Sequence, residues 1–418
     1  MGLKATPVFV TSETDASDLA SDEARLICEL AGVPRLDAEA LRRLAGIVDW
    51  SVVLGAARPG LWPLLAHRVR ERGLSVPALV LMQLDAARRD NLIAWMQRRA
   101  ALRAVLGALG SAGFDVTVLK GMALAPTVYP SPELRTMSDM DLWVHAPTLD
   151  GVAEVLAPLG WHLPGRRDSG ATDRRRSVGL ALGDPPLMME LHAPPASLEE
   201  TVPGLSSVLV ARRVEGEGWT ILAPADQLLH LAVHAASHHR FTGVVVGLLD
   251  MALLIDRVGA VIDWRAFGVE CRAQGAERCV AVALGAAEQL FGGHVPAEAW
   301  DSLSAPDAPA LGRTAAEIAW WSHVSGQNPA AVLATPGMAG LAGAVSDRIG
   351  HLMRDRSALD VGAPIRLARR VWQFIRYVAP RHVAALRRGA HAGAEGASRR
   401  ERYRRHAALM HALAPDRS

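Results

Sequence analysis

From Asp22 to about Leu109 the apolar residues of the chain recur at helical spacing. The segments DEARLICELAGV, DAEALRRLAGIV and LVLMQLDAARRDNLIAWMQRRAALRAVLGALG each carry an apolar stripe at intervals of three and four. Turns are expected at Gly32-Val33-Pro34 and at Pro59-Gly60. The period then shortens. FDVTVL (114–119), SDMDLWV (138–144), SVGLALG (177–183) and PLMMELHA (186–193) read as strands. Between them GMALAPTVY reads as a short helix broken by Pro126, and PSPELR as a loop. TLDGVAEVLAPLG reads as a helix capped by Thr148 or Asp150 and stopped by Gly160, and Asp184, ahead of two prolines, as a turn residue. From about Ala223 to Gly292 the pattern is helical again, and a Pro/Gly/Ala-rich region and a basic tail follow.

The expected fold class is α+β, a small sheet core flanked by N- and C-terminal helical regions. The expected divisions are a helical region at 1–109, the core at 110–210, a helical region packing on it at 211–300, and a C-terminal helical region with the basic tail at 301–418. At 418 residues the chain exceeds one ordinary core. A composition that is 50% hydrophobic but only 5% aromatic fits a soluble, mainly helical protein. The opening segment has neither a basic start nor a long apolar run, so no signal peptide is expected. The uncharged stretch near 327–346 is too interrupted by Asn, Pro, Gly, Thr and Ser for a membrane span. Cys28, Cys271 and Cys279 are too few and too scattered for a disulfide framework or a thiolate metal site, and the cytoplasm is the expected compartment.

Net charge is only +2, but twelve arginines against Glu395 and Glu401 give the stretch from Arg366 to Arg405 a charge of about +10. That stretch reads as a solvated helix with an arginine face, or as an arm for an anionic partner such as nucleic acid, a membrane surface or an acidic protein. The only lysines are Lys4 and Lys120. Lys120 directly follows a strand, where a compact ammonium enters spaces a planar guanidinium does not.

The candidate chemistry lies in RTMSDMDLWVH (135–145). On a strand, Asp139 and Asp141 share one face while Met140, Leu142 and Val144 take the other. At about 7 Å and an effective dielectric near 20, the two carboxylates repel by about 2 kcal/mol, so something must offset them. Paired carboxylates with a third acid on a neighbouring strand suit the binding of divalent cations, and Glu190, a lone acid in an apolar strand, is the candidate third. The alternative for SDMDL is a helix start with Ser138 as cap. Arg135 either neutralises phosphate or pairs with the acids. Arg174, Arg175 and Arg176 read as a solvated loop or as contacts to a nucleotide tail.

In HLAVHAASHHR, His230, His234 and His238 stand at i, i+4 spacing on one helix face. Such spacing is compatible with zinc, but no neighbouring carboxylate or cysteine completes a set. The expected role is packing against the core, with histidines bonded to backbone or to Asp250; the other reading turns His234 or His238 toward a cleft.

The order VLKGMALAPTVYPSPELRTMSDMDLWV, LAPLGW, MELH, PADQLLHLAVHAASHHRF and LLDMALLID, over roughly Trp50 to Arg257, resembles the uncharacterised nucleotidyltransferase family of bacteria, within the polymerase-beta-like superfamily. The resemblance implies a mixed sheet flanked by helices, Mg²⁺ or Mn²⁺, and an NTP donor. It implies that Asp139, Asp141 and Glu190 are the catalytic, metal-binding carboxylates. It places Lys120 and Gly121 where the superfamily has a Gly-Ser turn that cradles the triphosphate, here without the hydroxyl. Arg135, Ser138, His192, His234 and His238 complete the candidate substrate-binding set. The expected reaction moves an NMP group from NTP to an acceptor that is a small molecule, a peptide, a protein or RNA. The alternatives are a nucleotide-sensing or partner-binding module without turnover, and a kinase-like phosphoryl transfer.

Overall fold

The computed structural model describes residues 18–146, 149, 151–163, 177–193, 213–216, 218–303, 305–326 and 393–413. The proposed caps Thr148 and Asp150, the Arg174–Arg176 run, the 327–346 stretch and most of the basic tail lie outside these residues.

Six strands form one mixed sheet: β1 (Val116–Leu119), β2 (Asp139–Val144), β3 (Ser177–Leu182), β4 (Leu187–His192), β5 (Arg213–Glu215) and β6 (Thr220–Leu222), in the order β3-β4-β2-β1-β6-β5. β2 runs parallel to β4 and antiparallel to β1, and β6 is parallel to β1. The α+β class and the mixed sheet are as expected, and SDMDL enters a strand rather than starting a helix. β5 and β6 were not foreseen. At three residues each they are too short for alternation to register, and β6 gains its place by pairing Ile221 with Val118.

Alternation decides which way the sheet faces. Met140, Leu142, Val144, Met189 and Leu191 point to one side and are essentially inaccessible to solvent. They pack with Trp95, Leu102, Val105 and Leu109 from a long helix, and with Val152 and Leu156 from a short one. This apolar layer leaves the opposite faces of β2 and β4 for polar side chains.

The helices preceding the sheet are α1 (Asp22–Ala31), α2 (Ala38–Ile47), α3 (Trp50–Glu71) and α4 (Ala78–Ser111). Ser21, Asp37 and Asp49 cap the first three by accepting hydrogen bonds from first-turn N–H groups. The expected turn at Pro59-Gly60 is a kink inside α3, with Arg58 at φ 53, because proline denies its predecessor the helical conformation. The turn after α1 is forced by contact. A Cβ on Gly32 would lie 2.1 Å from the Phe291 carbonyl oxygen, and the next amide, Val33 N, donates to that oxygen at 2.7 Å. N-terminal and C-terminal helices are thereby tied together.

Within the sheet region lie α5 (Lys120–Val128) and α6 (Val152–Leu156). Pro126 sits inside α5, which ends two residues later, and Gly160 adopts φ 88 at the stop after α6. The sheet is followed by α7 (Pro224–Val233), a π-helical turn at His234–His238, α8 (Val245–Val258), α9 (Trp264–Ala273), α10 (Glu277–Phe291), α11 (Ala297–Leu303) and α12 (Ala308–Ser325). The chain divides into one unit of residues 1–326 with 413–418 and a second of 327–412. The described part of the second lies in α13 (Gly393–Leu413), where Arg404 and Arg405 are exposed. Among the described residues no helix is long and apolar enough to cross a membrane.

Candidate functional site

Register brings the acids together. β2 and β4 pair Asp141 with Glu190, Asp139 with Met188 and Trp143 with His192, so Asp139, Asp141, Glu190 and His192 share one face. β1 pairs Leu119 with Asp141, which delivers the next residue, Lys120, to the same place. The Lys120 ammonium donates to Asp141 Oδ1 at 2.7 Å, and His192 Nε2 lies 3.4 Å from that oxygen. Asp141 is buried, which by itself raises a carboxyl pKa. The His192 hydrogen bond and the Lys120 charge outweigh burial and hold it well below the usual carboxylate range.

Glu190 Oε1 accepts the Ser177 hydroxyl at 2.9 Å, and its other oxygen lies 3.8 Å from His192. Ligand atoms of Asp141, Glu190 and His192 lie within 4.8 Å of one another. Asp139 takes the Ser138 hydroxyl at 2.9 Å. The repulsion anticipated between the aspartates is met on one side by Lys120 and His192, and on the other by the Arg98 guanidinium, which interacts with the charge of Asp139.

A cleft of about 1040 Å³ opens on this face. It is lined by Asp139, Asp141, Glu190, Lys120, Gly121, Arg135 and Ser138, and also by His234, His238 and His239. His192, 3.4 Å from Asp141 Oδ1, is not among the lining residues. Lys120 has φ 45, a conformation that β-carbon residues adopt at a cost of about 1–2 kcal/mol. Such strain clusters where side-chain direction serves function.

Arg135, which lines the cleft, also has an acidic partner outside the Asp139–Asp141–Glu190 group. Its Nη2 and Nε donate to Asp250 at 2.6 and 3.2 Å, and Asp250 Oδ1 also accepts the Tyr129 hydroxyl at 2.7 Å. The Asp250 side chain is fully buried on α8, and its oxygens are taken by Arg135 and Tyr129 rather than by a histidine. Asn91 and Arg98 of α4 bind the carbonyls of Glu133 and Met137, and Thr136 donates to Gly60 O at 2.7 Å. The loop that delivers Asp139 is thus held from three helices. Gly121 makes room for this arrangement: a Cβ there would meet Arg135 Nη1 at 2.8 Å. Asp250, Tyr129, Ser177, Arg98 and His239 were not singled out for these roles. The signal for Asp250 was present, since a lone carboxylate in an apolar helix demands a partner.

His230 is buried on α7, four residues before His234 of the cleft lining. Burial, with the Lys120 charge, pushes its pKa down to about 3, and burial puts His323 at about 4. Unfolded, each titrates near ~6.5. Below that pH the unfolded chain binds protons that the folded chain refuses, so stability present above ~6.5 is lost as pH falls toward 3–4. His230 alone should cost about 3 kcal/mol at pH 4. Urea unfolding between pH 7.5 and 4.5 should show the decline, and His230→Gln should flatten it; an identical slope in the variant would contradict this assignment.

The family model described as Uncharacterised nucleotidyltransferase matches residues 48–292, more than half of the chain. The match runs from the start of α3 to the end of α10, and so takes in the sheet, the acids and the histidine turn. No curated protein matches the chain. A chain that carries this model across its whole sheet region and the helices packed around it belongs to the uncharacterised nucleotidyltransferase family.

Proposed function

We propose that this family member is a metal-dependent nucleotidyltransferase that moves an NMP group from an NTP to an acceptor oxygen. The observation that carries the reading is the in-register pairing of Asp141 with Glu190 beside Asp139, on a face open to the cleft. The donor set suits hard cations such as Mg²⁺ or Mn²⁺, which take carboxylate oxygens, and a cationic ammonium already sits on Asp141. Divalent ions bound there would neutralise charge on the transferred phosphoryl group and hold attacking and leaving oxygens in line.

The chain's own residues supply the rest. Ser177 and His192 orient Glu190 and Asp141, so the carboxylates need no rearrangement. Lys120, exchanged from Asp141 for a phosphate oxygen, stands at the first residue of α5, where backbone N–H groups lack helical partners. The acceptor oxygen attacks the α-phosphorus and pyrophosphate leaves.

A second reading, nucleotide binding without turnover, draws support from the Lys120-Gly121 turn. It lacks a phosphate-gripping hydroxyl, and the space over Gly121 is filled by Arg135. A thermal-shift panel of four NTPs with Mg²⁺ or Mn²⁺ tests the site. Ligand at a hundred times its Kd should stabilise by about 2.7 kcal/mol. That shift should need the metal and vanish in Asp139→Asn/Asp141→Asn. No shift with any nucleotide would sink both readings. Pyrophosphate as product separates transfer from binding alone, and NDP would mark a kinase-like reaction.

A further inference from the structure

The histidine turn holds an arrangement that the acidic site does not use. α7 ends at Val233, and the next five residues form a π turn closed by His239 N–H donating to His234 O at 3.1 Å. In an α-helix only His238 would stack over His234. The wider turn places both His238 and His239 there, with ring centroids 5.1 and 4.5 Å from His234 and 5.0 Å from each other. The turn is followed by two consecutive residues at positive φ, Arg240 (51) and Phe241 (58), each costing about 1–2 kcal/mol. Phe241 is wholly buried, and its N–H donates to Ala235 O at 2.9 Å, so packing enforces the strain.

We propose that His234, His238 and His239 form a binding site for Zn²⁺, with a coordination position left open toward the cleft. Their ring nitrogens lie within 4.8 Å of one another, and about 3.3 Å is needed around a tetrahedral ion with Zn–N near 2.05 Å. Rotation of side chains that are half-buried or exposed covers the difference. Among the described residues no side-chain hydrogen bond occupies these six ring nitrogens. Three imidazoles without carboxylates select a borderline transition metal over Mg²⁺, which the carboxylate set across the same cleft suits better. Three protein ligands leave room for a fourth from solvent or from a molecule in the cleft.

The test uses the full chain, stripped with chelator and titrated with Zn²⁺ against a chromophoric competitor. One Zn²⁺ per chain is expected. Affinity should fall at least about tenfold in His238→Ala and in His239→Asn, and stay unchanged in Asp141→Asn/Glu190→Gln. Because the readout is metal content and affinity, it does not depend on whether nucleotidyl transfer occurs. X-ray absorption of the zinc-loaded wild type guards against variants that fold poorly, and should count three imidazole ligands. The proposal is overturned if wild type takes up no Zn²⁺, if loss follows the carboxylate variant instead, or if the absorption shell is dominated by oxygen.

Discussion

Asp141→Asn should abolish nucleotidyl transfer, by about 10³-fold or more, while the chain stays folded. Removing a single group that stabilises transition-state charge in an enclosed site costs roughly 10²–10³ in rate. Asp141 is placed to do more than one such task, since it faces Glu190 across β2 and β4 and carries Lys120 and His192 on one oxygen. The amide keeps the shape and one acceptor oxygen but loses the charge that draws a divalent ion. Its structural cost should be modest, because Lys120 keeps partial access to water. The check is release of pyrophosphate from α-labelled NTP with candidate acceptors, together with far-ultraviolet circular dichroism. Wild-type turnover in a folded variant would remove Asp141 from the chemistry. Ser177→Ala makes a useful contrast, since it leaves Glu190 in place with one hydrogen bond fewer and should lower the rate without eliminating it.

Asp250→Ala should produce the largest loss of stability at a single position, about 3–5 kcal/mol. Breaking one side of a buried ion pair strands the other charge, and here the stranded group is the Arg135 guanidinium, itself largely shielded from water. Tyr129 loses its acceptor in the same step. For a unit of this size the melting temperature should fall by roughly 5–10 °C. Urea unfolding of the single variants and of Asp250→Leu/Arg135→Met gives the coupling. The apolar pair should recover much of the loss, since desolvation of the charges goes with them. A loss below about 1 kcal/mol in Asp250→Ala would mean that the network does not hold the loop. Nucleotide affinity should fall as well, because the same loop delivers Ser138 and Asp139 to the cleft.

The sheet strands that carry the acids were legible because their signals are local. A period of two sets Asp139 and Asp141 on one face and Met140, Leu142 and Val144 on the other, whatever the rest of the chain does. Glu190 stood out because a carboxylate in an apolar strand has to be accommodated. The helical frame followed from spacing in the same way. Partners were harder to read. Arg135 lines the cleft with the site acids, but its ion-pair partner, Asp250, lies 115 residues away on α8. Asp250, expected as a partner for a histidine, instead accepts from Arg135 and Tyr129.

By itself the sequence determined the candidate chemistry: two aspartates and a glutamate on strands, a lysine at a strand end, and a run of histidines on a helix. Only the tertiary structure decided how they meet. The parallel register of β2 and β4 sets Asp141 opposite Glu190, and β1 brings in Lys120. A change of one hydrogen-bond step, from i+4 to i+5, adds His239 to the histidine cluster. The physical reason is that face and period follow from neighbours a few residues apart. Register, ion pairing and burial depend on segments that meet only after the core has formed.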